Sequence, residues 1–366
     1  MTRLFRFLEP TFFAGLIDDP CLVVRDRPIH KSILLDCGAL HHVAKREMKP
    51  VQAIFVSHAH MDHFMGFDTF LRQVIANPRT VELFGPPGMA ERVAGRLAGY
   101  DWNLAEPYWC TLLVHEVHPE QILSVRFAGP EGFRRHELGA APRTEAVIYR
   151  HNHLEVAAEI LDHGIPVLAF RVWERKIFAL DGATLTALGL LPGVWMEELK
   201  RRFFEDWPEA PPLRIMRMGT EGPREETVAD AAAFYGQIRA VPQSPSLGYL
   251  TDWGWSPENL EKVRRFMTGV DLLIGECAFL RAEASRARTS RHLCTADWNR
   301  LLAELRPRAF LPMHLSKTYL RRSAELYAEL APPPETEILT LPEHLAPRPL
   351  HAQEACVLRR LTRQTS

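Results

Sequence analysis

Three histidines and an aspartate stand close together in the stretch Ser57-His58-Ala59-His60-Met61-Asp62-His63. In an extended segment successive side chains alternate, so His58 and His60 project to the same side. A turn into a following helix then brings Asp62 and His63 toward the same space. Imidazole and carboxylate donors together suit zinc, and also iron or manganese, because these borderline ions accept mixed nitrogen and oxygen ligands. The donors are numerous enough to serve two neighbouring ions. A single loop histidine would more often bond only to backbone or solvent. This density of donors, at the C-terminal edge of a predicted strand where α/β sheets place their sites, favours metal binding instead.

The elements that must position this cluster follow from hydrophobic patterning. Two short apolar runs, Ser32–Asp36 and Ala53–Ser57, read as buried strands. Residues 62–76 then predict one helix, whose Phe64, Phe67, Phe70, Leu71 and Val74 form a stripe that packs back on the sheet. Further strands are predicted within 81–84, 122–127, 146–149, 167–172, 248–251, 272–275 and 309–312, and helices over 257–267, 295–305 and 317–329. Strands and helices alternate without long gaps, which predicts an α/β layered fold. Residues 1–330 are expected to form one domain with an arm-like insertion near 188–213, where Pro, Trp and charge are dense. Residues 331–366 are expected to be a C-terminal extension. Lys200, Arg201 and Arg202, beside Phe203, Phe204 and Trp207, read as one solvated face of a helix, with an RNA-backbone grip as the competing reading.

Composition bounds the class. With 366 residues, 46% of them hydrophobic, the chain can bury a large core, which excludes disordered and collagen-like classes. A net charge of -1 argues against a surface wrapped throughout in nucleic acid, though a local basic patch is compatible with it. Six scattered cysteines without a CxxC pair suit buried free thiols in a reducing compartment. The first residues are interrupted by Glu9, Pro10, Asp18 and Asp19 before a signal sequence develops, and no apolar run approaches the roughly 20 residues of a membrane span. A cytoplasmic protein without a membrane partner is expected.

The HxHxDH pattern after a short strand resembles the motif of the metallo-β-lactamase superfamily. LDHGIPVLAFR resembles the segment that supplies a further histidine, here His163. GYLTDWG resembles the strand end that supplies a bridging aspartate, Asp252, and FLPMHLS resembles the last segment, with His314. The resemblance implies an αβ/βα four-layer sandwich with a dinuclear centre. One ion would take His58, His60 and His163, the other Asp62, His63 and His314, with Asp252 and a hydroxide shared between them. Within the superfamily the chain is similar to the ribonuclease Z family through LGLLPGVWMEELK, TDWG, DLLIGECAF, RHLCTADWNRLL and HLSKTY, in the family's order. It departs from the usual HEATF in reading Glu276-Cys277-Ala278-Phe279 after Gly275, and from the usual GYR in reading Ala169-Phe170-Arg171.

The resemblance implies a phosphodiesterase, an endonuclease that cleaves the 3′ trailer of precursor tRNA by hydroxide attack. It implies two zinc ions, with manganese or iron as alternatives, and a homodimer. Asp62 would bind an ion and orient the nucleophile, a role compatible with its also capping a helix. His292 would protonate the leaving oxygen. Glu276 would either orient His292 or pair with an arginine, and Asp36 would hydrogen-bond a ligand or only backbone. His151 and His153 form a second HxH, but His163 fits the motif better. A hydrolase of a small phosphodiester, cyclic nucleotide or sulfate ester is the alternative function. A di-iron oxidoreductase is disfavoured because His60 stands where that relative carries glutamate and because no length remains for a flavin domain. A non-catalytic relative is disfavoured because all seven ligand positions are filled.

Overall fold

The strand Val51–Phe55 shows how sequence period becomes layering. Ala53 and Phe55 point into the space between two sheets, while Ile54 points the other way, toward helices. Lys31–Leu35 and Thr80–Gly85 flank it in parallel and divide their side chains likewise: Leu34 and Leu83 face the helices, Leu35 and Phe84 the other sheet. The structure, a computed structural model, describes residues 4–151, 153–175, 177–220, 222–240, 244–345, 350–351 and 356–357. It divides into two compact units, one built from residues 1–174 and 245–366, the other from 175–244.

In the larger unit a nine-stranded sheet runs, in spatial order, through 350–351, Leu8–Phe12, Leu22–Asp26, Lys31–Leu35, Val51–Phe55, Thr80–Gly85, Thr111–Val117, Gln121–Ala128 and Arg134–Pro142. An eight-stranded sheet packs against it, in the order 356–357, Glu337–Thr340, Ala309–Met313, Leu272–Glu276, Ser246–Leu250, Pro166–Glu174, Leu154–Asp162 and Val147–His151. The helices Phe67–Val74 and Met89–Leu97 cover the outer face of the first sheet. Pro257–Met267 and Thr295–Leu305 bury Val263, Met267, Trp298 and Leu301 on the second. The result is the four-layer αβ/βα sandwich. Its central strands are parallel in both sheets, so their C-terminal ends carry the loops between which a site can be built.

Aromatic packing joins the sheets. The ring of Phe55, fully buried, lies 5.0 Å from Phe84 in its own sheet and 5.6 and 5.5 Å from Phe170 and Tyr149 in the other. Truncating it would remove contacts on both sides and leave a cavity that rigid strands cannot close. Phe55→Ala is therefore expected to cost about 3–5 kcal/mol of stability, measured by denaturant unfolding.

Several elements differ from the sequence expectation. The single helix over 62–76 is two, Met61–Phe64 and Phe67–Val74, because Gly66 presses against a neighbouring loop. Its N–H donates to Cys37 O at 2.8 Å, and a side chain there would stand 2.1 Å from Gly38 O. The helix expected over 317–329 becomes a 3-10 turn at Lys317–Tyr319 and a helix at Ser323–Glu329, separated at Arg321, whose φ is +64°. Residues 331–345 are not simply appended, since Glu337–Thr340 pairs in parallel with Ala309–Met313. Most of 346–366, the rest of the expected extension, lies outside the described residues.

The smaller unit is wider than the 188–213 that Pro and Trp density marks. The hairpin Leu213–Gly219 and Gly222–Val228 and the helix Ala231–Ile238 share one apolar cluster with Trp195 and Leu199 of the helix Trp195–Phe204. The hairpin is half polar by alternation and so carries no compositional flag. Within the basic run, Arg201 pairs with Glu198 at 2.8 Å and with Glu205, and Arg202, mostly buried, donates from Nε to Glu198 at 2.8 Å. Two of its three cations are thus neutralised along their own helix.

Candidate metal centre

Every residue singled out for chemistry except His292, which lies between the helices Ala284–Ser290 and Thr295–Leu305, leaves the end of a strand or opens the loop behind it. Asp36 follows Lys31–Leu35, the 57–63 loop follows Val51–Phe55, and Asp252 follows Ser246–Leu250. Glu276 ends its strand, His314 follows Ala309–Met313, and His163 occupies the turn between Leu154–Asp162 and Pro166–Glu174. Donor atoms gather in three overlapping groups, each with all members within 4.8 Å of one another: His58, His60, His163 and Asp252; Asp62, His63 and His314; and Asp252, Glu276, His292 and His314. Asp252, buried, is common to two of them. Asp62 does not cap the helix Met61–Phe64, whose N-cap is His60. It lies in the first turn, 3.1 Å from His314 Nε2 and 40% exposed.

Hydrogen bonding outside this cluster fixes which ring nitrogens face inward. Asp36 Oδ2 accepts from His63 Nδ1 at 2.9 Å, from Ser57 Oγ at 2.9 Å and from Tyr249 OH at 3.2 Å, and Oδ1 accepts from Ser57 N at 2.7 Å. Since the Ser57 hydroxyl gives its hydrogen to Asp36, it accepts from His58 Nδ1, 3.1 Å away. His163 Nδ1 donates to Arg291 O at 2.8 Å. All three imidazoles thereby spend Nδ1–H on the scaffold and turn Nε2 inward: His58 and His163 present a lone pair there, the form a metal ligand needs, and His63 does so once a cation displaces its proton. His58 Nε2, His63 Nε2, Asp252 Oδ1 and His314 Nδ1 are buried without a well-aligned hydrogen bond, the last two standing 3.0 Å from each other. Orphaned acceptors crowded together are costly unless a cation satisfies them, and this donor set fits metal ions.

The electrostatics agree. Burial works to lower the His63 pKa, yet the carboxylates of Asp252 and Asp36 overcome it and hold it up to about 10. Burial and the neighbouring His63 lower His58 to about 2, and burial lowers His163 to about 4, so these two stay neutral donors. Asp252 is held well below the usual carboxylate range: burial opposes this, but His314 and His63 prevail. The carboxylates thus set up a field that favours positive charge among the rings. Asp36 and His314 adopt φ of +52° and +58°, a left-handed backbone that costs non-glycine residues of order ~1–3 kcal/mol and persists where surrounding structure over-determines it.

Beside the cluster, His292 Nδ1 is 3.0 Å from Glu276 Oε1 and 3.9 Å from Asp252 Oδ2. Glu276, fully buried, also accepts from Ala278 N at 3.0 Å and Leu293 N at 3.2 Å, so its carboxylate is held from three sides. Its partner is His292 and not an arginine. Burial pulls the His292 pKa down, but the charge and hydrogen bond of Glu276 outweigh it and the net shift is upward. Trp298 donates to Glu276 O at 2.6 Å and packs against Gly275, where a side chain would stand 2.1 Å from the indole. The strand that carries Glu276 is thereby pinned, and only glycine fits before it.

His151 and His153 lie elsewhere. His153 Nδ1 is 2.9 Å from Asp26 Oδ1, and Asp26 stands opposite Lys31 in the strand register, at the end of these strands away from Asp36. Sequence reasoning missed Tyr249 and Asn259, both buried and both bonded to the loops that hold the donors. Asn259 lies in no motif, and Tyr249, though inside GYLTDWG, was not marked by it. Tyr249 reads as one more apolar strand residue and Asn259 as a polar residue on a helix.

Comparisons with known proteins agree with this fold. The Beta-lactamase superfamily domain matches residues 32–146. The ribonuclease Z of Deinococcus radiodurans is 32% identical over 291 residues, which cover 78% of this chain and 83% of that protein. The ribonuclease Z of Anoxybacillus flavithermus is 24% identical over 293 residues, covering 78% of this chain and 77% of its own. Among solved structures, the metallo-β-lactamase fold protein YhfI from Bacillus subtilis superposes with a TM-score of 0.50 at 12% identity, over 94% of this chain and 98% of that one.

Proposed function

The chain belongs to the ribonuclease Z family of the metallo-β-lactamase superfamily, and from that premise we propose that it is a metal-dependent endoribonuclease that removes the 3′ trailer of precursor tRNA. One observation supports the chemistry above the others: imidazoles locked in one tautomer turn unpartnered Nε2 atoms toward a shared, buried Asp252. In this reading His58, His60 and His163 would hold one zinc ion and Asp62, His63 and His314 a second, with Asp252 available to both. Manganese or iron would suit the same donors. The ions, when bound, supply Lewis acidity that acidifies water and offsets charge growing on the phosphoryl oxygen.

The chain's own residues do the rest. Asp62, exposed on one side, orients the attacking water. His292 delivers a proton to the leaving oxygen from Nε2, and Glu276 holds the ring by accepting Nδ1–H and raises its basicity. No helix among the described residues is long and apolar enough to cross a membrane. A cytoplasmic homodimer acting on free precursor tRNA is the setting proposed, its oligomeric state open to sedimentation analysis.

The test is to incubate zinc-loaded protein with a 3′-extended precursor tRNA and map the products. A single cut near the acceptor end is expected, abolished by chelator and restored by zinc. Failure to cut tRNA, together with hydrolysis of bis(p-nitrophenyl) phosphate, would retain the metal chemistry and move the substrate to a small ester.

A further inference from the structure

The turn that carries His163 and the loop that carries Asp252 are separated widely in sequence; their strands Pro166–Glu174 and Ser246–Leu250 pair side by side, but that pairing ends at Phe170 and Tyr249, short of both donors. Asn259 lies between them. It occupies the first turn of the helix Pro257–Met267, whose start is set by Ser256, with Oγ accepting from Asn259 N at 3.2 Å, and by Pro257 at the first helical position. The Asn259 side chain, 1% exposed, satisfies every hydrogen-bonding direction that its contacts demand. Oδ1 accepts from Asp162 N at 3.0 Å, and Nδ2 donates to Asp162 O at 2.8 Å and to Gly254 O at 2.8 Å. Gly254 N closes the ring by donating to Asp162 O at 2.9 Å. The amide orientation is unambiguous, since one end meets an N–H and the other two carbonyls. Asp162 directly precedes His163, and Gly254 lies two residues beyond Asp252.

We propose that Asn259 is a positioning residue that fixes His163 relative to Asp252 and so sets the affinity of the metal position formed by His58, His60 and His163. The proposal rests on the metal reading above. The Asn259 side chain bonds neither the segment of Asp62 and His63 nor that of His314, and His163 serves one position alone. Loss of Asn259 therefore acts chiefly on the His163 position. Residues that orient metal ligands from outside typically change affinity by about 10–100-fold when removed.

The test titrates apo protein with zinc against a chromophoric chelator, and separately with cobalt(II) while its visible absorption is recorded. Asn259→Leu removes all three side-chain bonds at similar volume. Asn259→Asp keeps the bond from Asp162 N and loses both donors, and it serves if the leucine variant does not fold. In the wild type two equivalents bind. In a folded variant one equivalent weakens by about 10–100-fold while the other keeps its affinity, and the cobalt spectrum of the weakened position changes shape. Two equivalents with wild-type affinities in either folded variant would overturn the proposal, as would equal weakening of both, the mark of a merely structural role. A wild type that binds neither zinc nor cobalt would overturn the metal reading itself, and the proposal with it.

Discussion

Asp252→Ala is expected to lower turnover on precursor tRNA by about a thousandfold or more and to strip metal from the protein. The magnitude follows from losing several kcal/mol of transition-state charge stabilisation at about 1.4 kcal/mol per decade. Asp252 is the only carboxylate within reach of all of His58, His63, His163, His292 and His314 among the described residues, at distances of 3.8, 3.3, 4.0, 3.9 and 3.0 Å. Without it five imidazoles face one another with less negative charge among them, and cations are repelled where they are now drawn in. Elemental analysis of metal per chain, run beside the tRNA assay, checks both parts. Asp252→Asn, which keeps the volume and loses the charge, separates electrostatics from packing. Full metal content and full activity in these variants would remove Asp252 from the centre.

The second large effect concerns proton delivery. His292→Ala is expected to reduce kcat by about 10²–10⁴-fold, the usual contribution of a positioned general acid, with KM changed little. Glu276→Gln should give a smaller loss with a distinctive pH signature. A general acid works while protonated, so the rate falls as pH rises through the pKa of His292. Glu276 raises that pKa, which extends activity upward in pH. Glutamine keeps a hydrogen-bond acceptor but not the charge, so the alkaline limb of the kcat profile should move to lower pH. A limb that stays in place in Glu276→Gln would mean that another group supplies the proton.

The four donors after Val51–Phe55 could be read from residue types because one loop concentrates them, whereas His163, Asp252 and His314 were reached through the resemblance of short segments to the family, such as Thr251-Asp252-Trp253-Gly254. The central strands were also legible from residue types: buried parallel strands are apolar on both faces. Leu8–Phe12, Leu22–Asp26 and the hairpin at 213–228 were not, since their alternation or interrupting charges match loops equally well. The break at Gly66 escaped because the apolar stripe continues in phase across it, and what ends the helix is a backbone from another loop. Asn259 and Tyr249 escaped for a related reason. Their importance lies in the groups their polar ends meet across the fold, and linear patterning carries no trace of those partners.

The donors' positions at the ends of separate strands also order events in time. His58, His60, Asp62 and His63 leave the ribosome early, and His314 follows only after roughly 10–50 s at about 5–20 residues per second. During that interval His163, then Asp252 and last His314 join the early loop's donors, and no chain that ends before His314 contains the completed centre. Tight uptake of metal is therefore a late step of biogenesis that reports a finished sandwich. The ion then adds its binding energy to a fold that the aromatic seam around Phe55 has already joined.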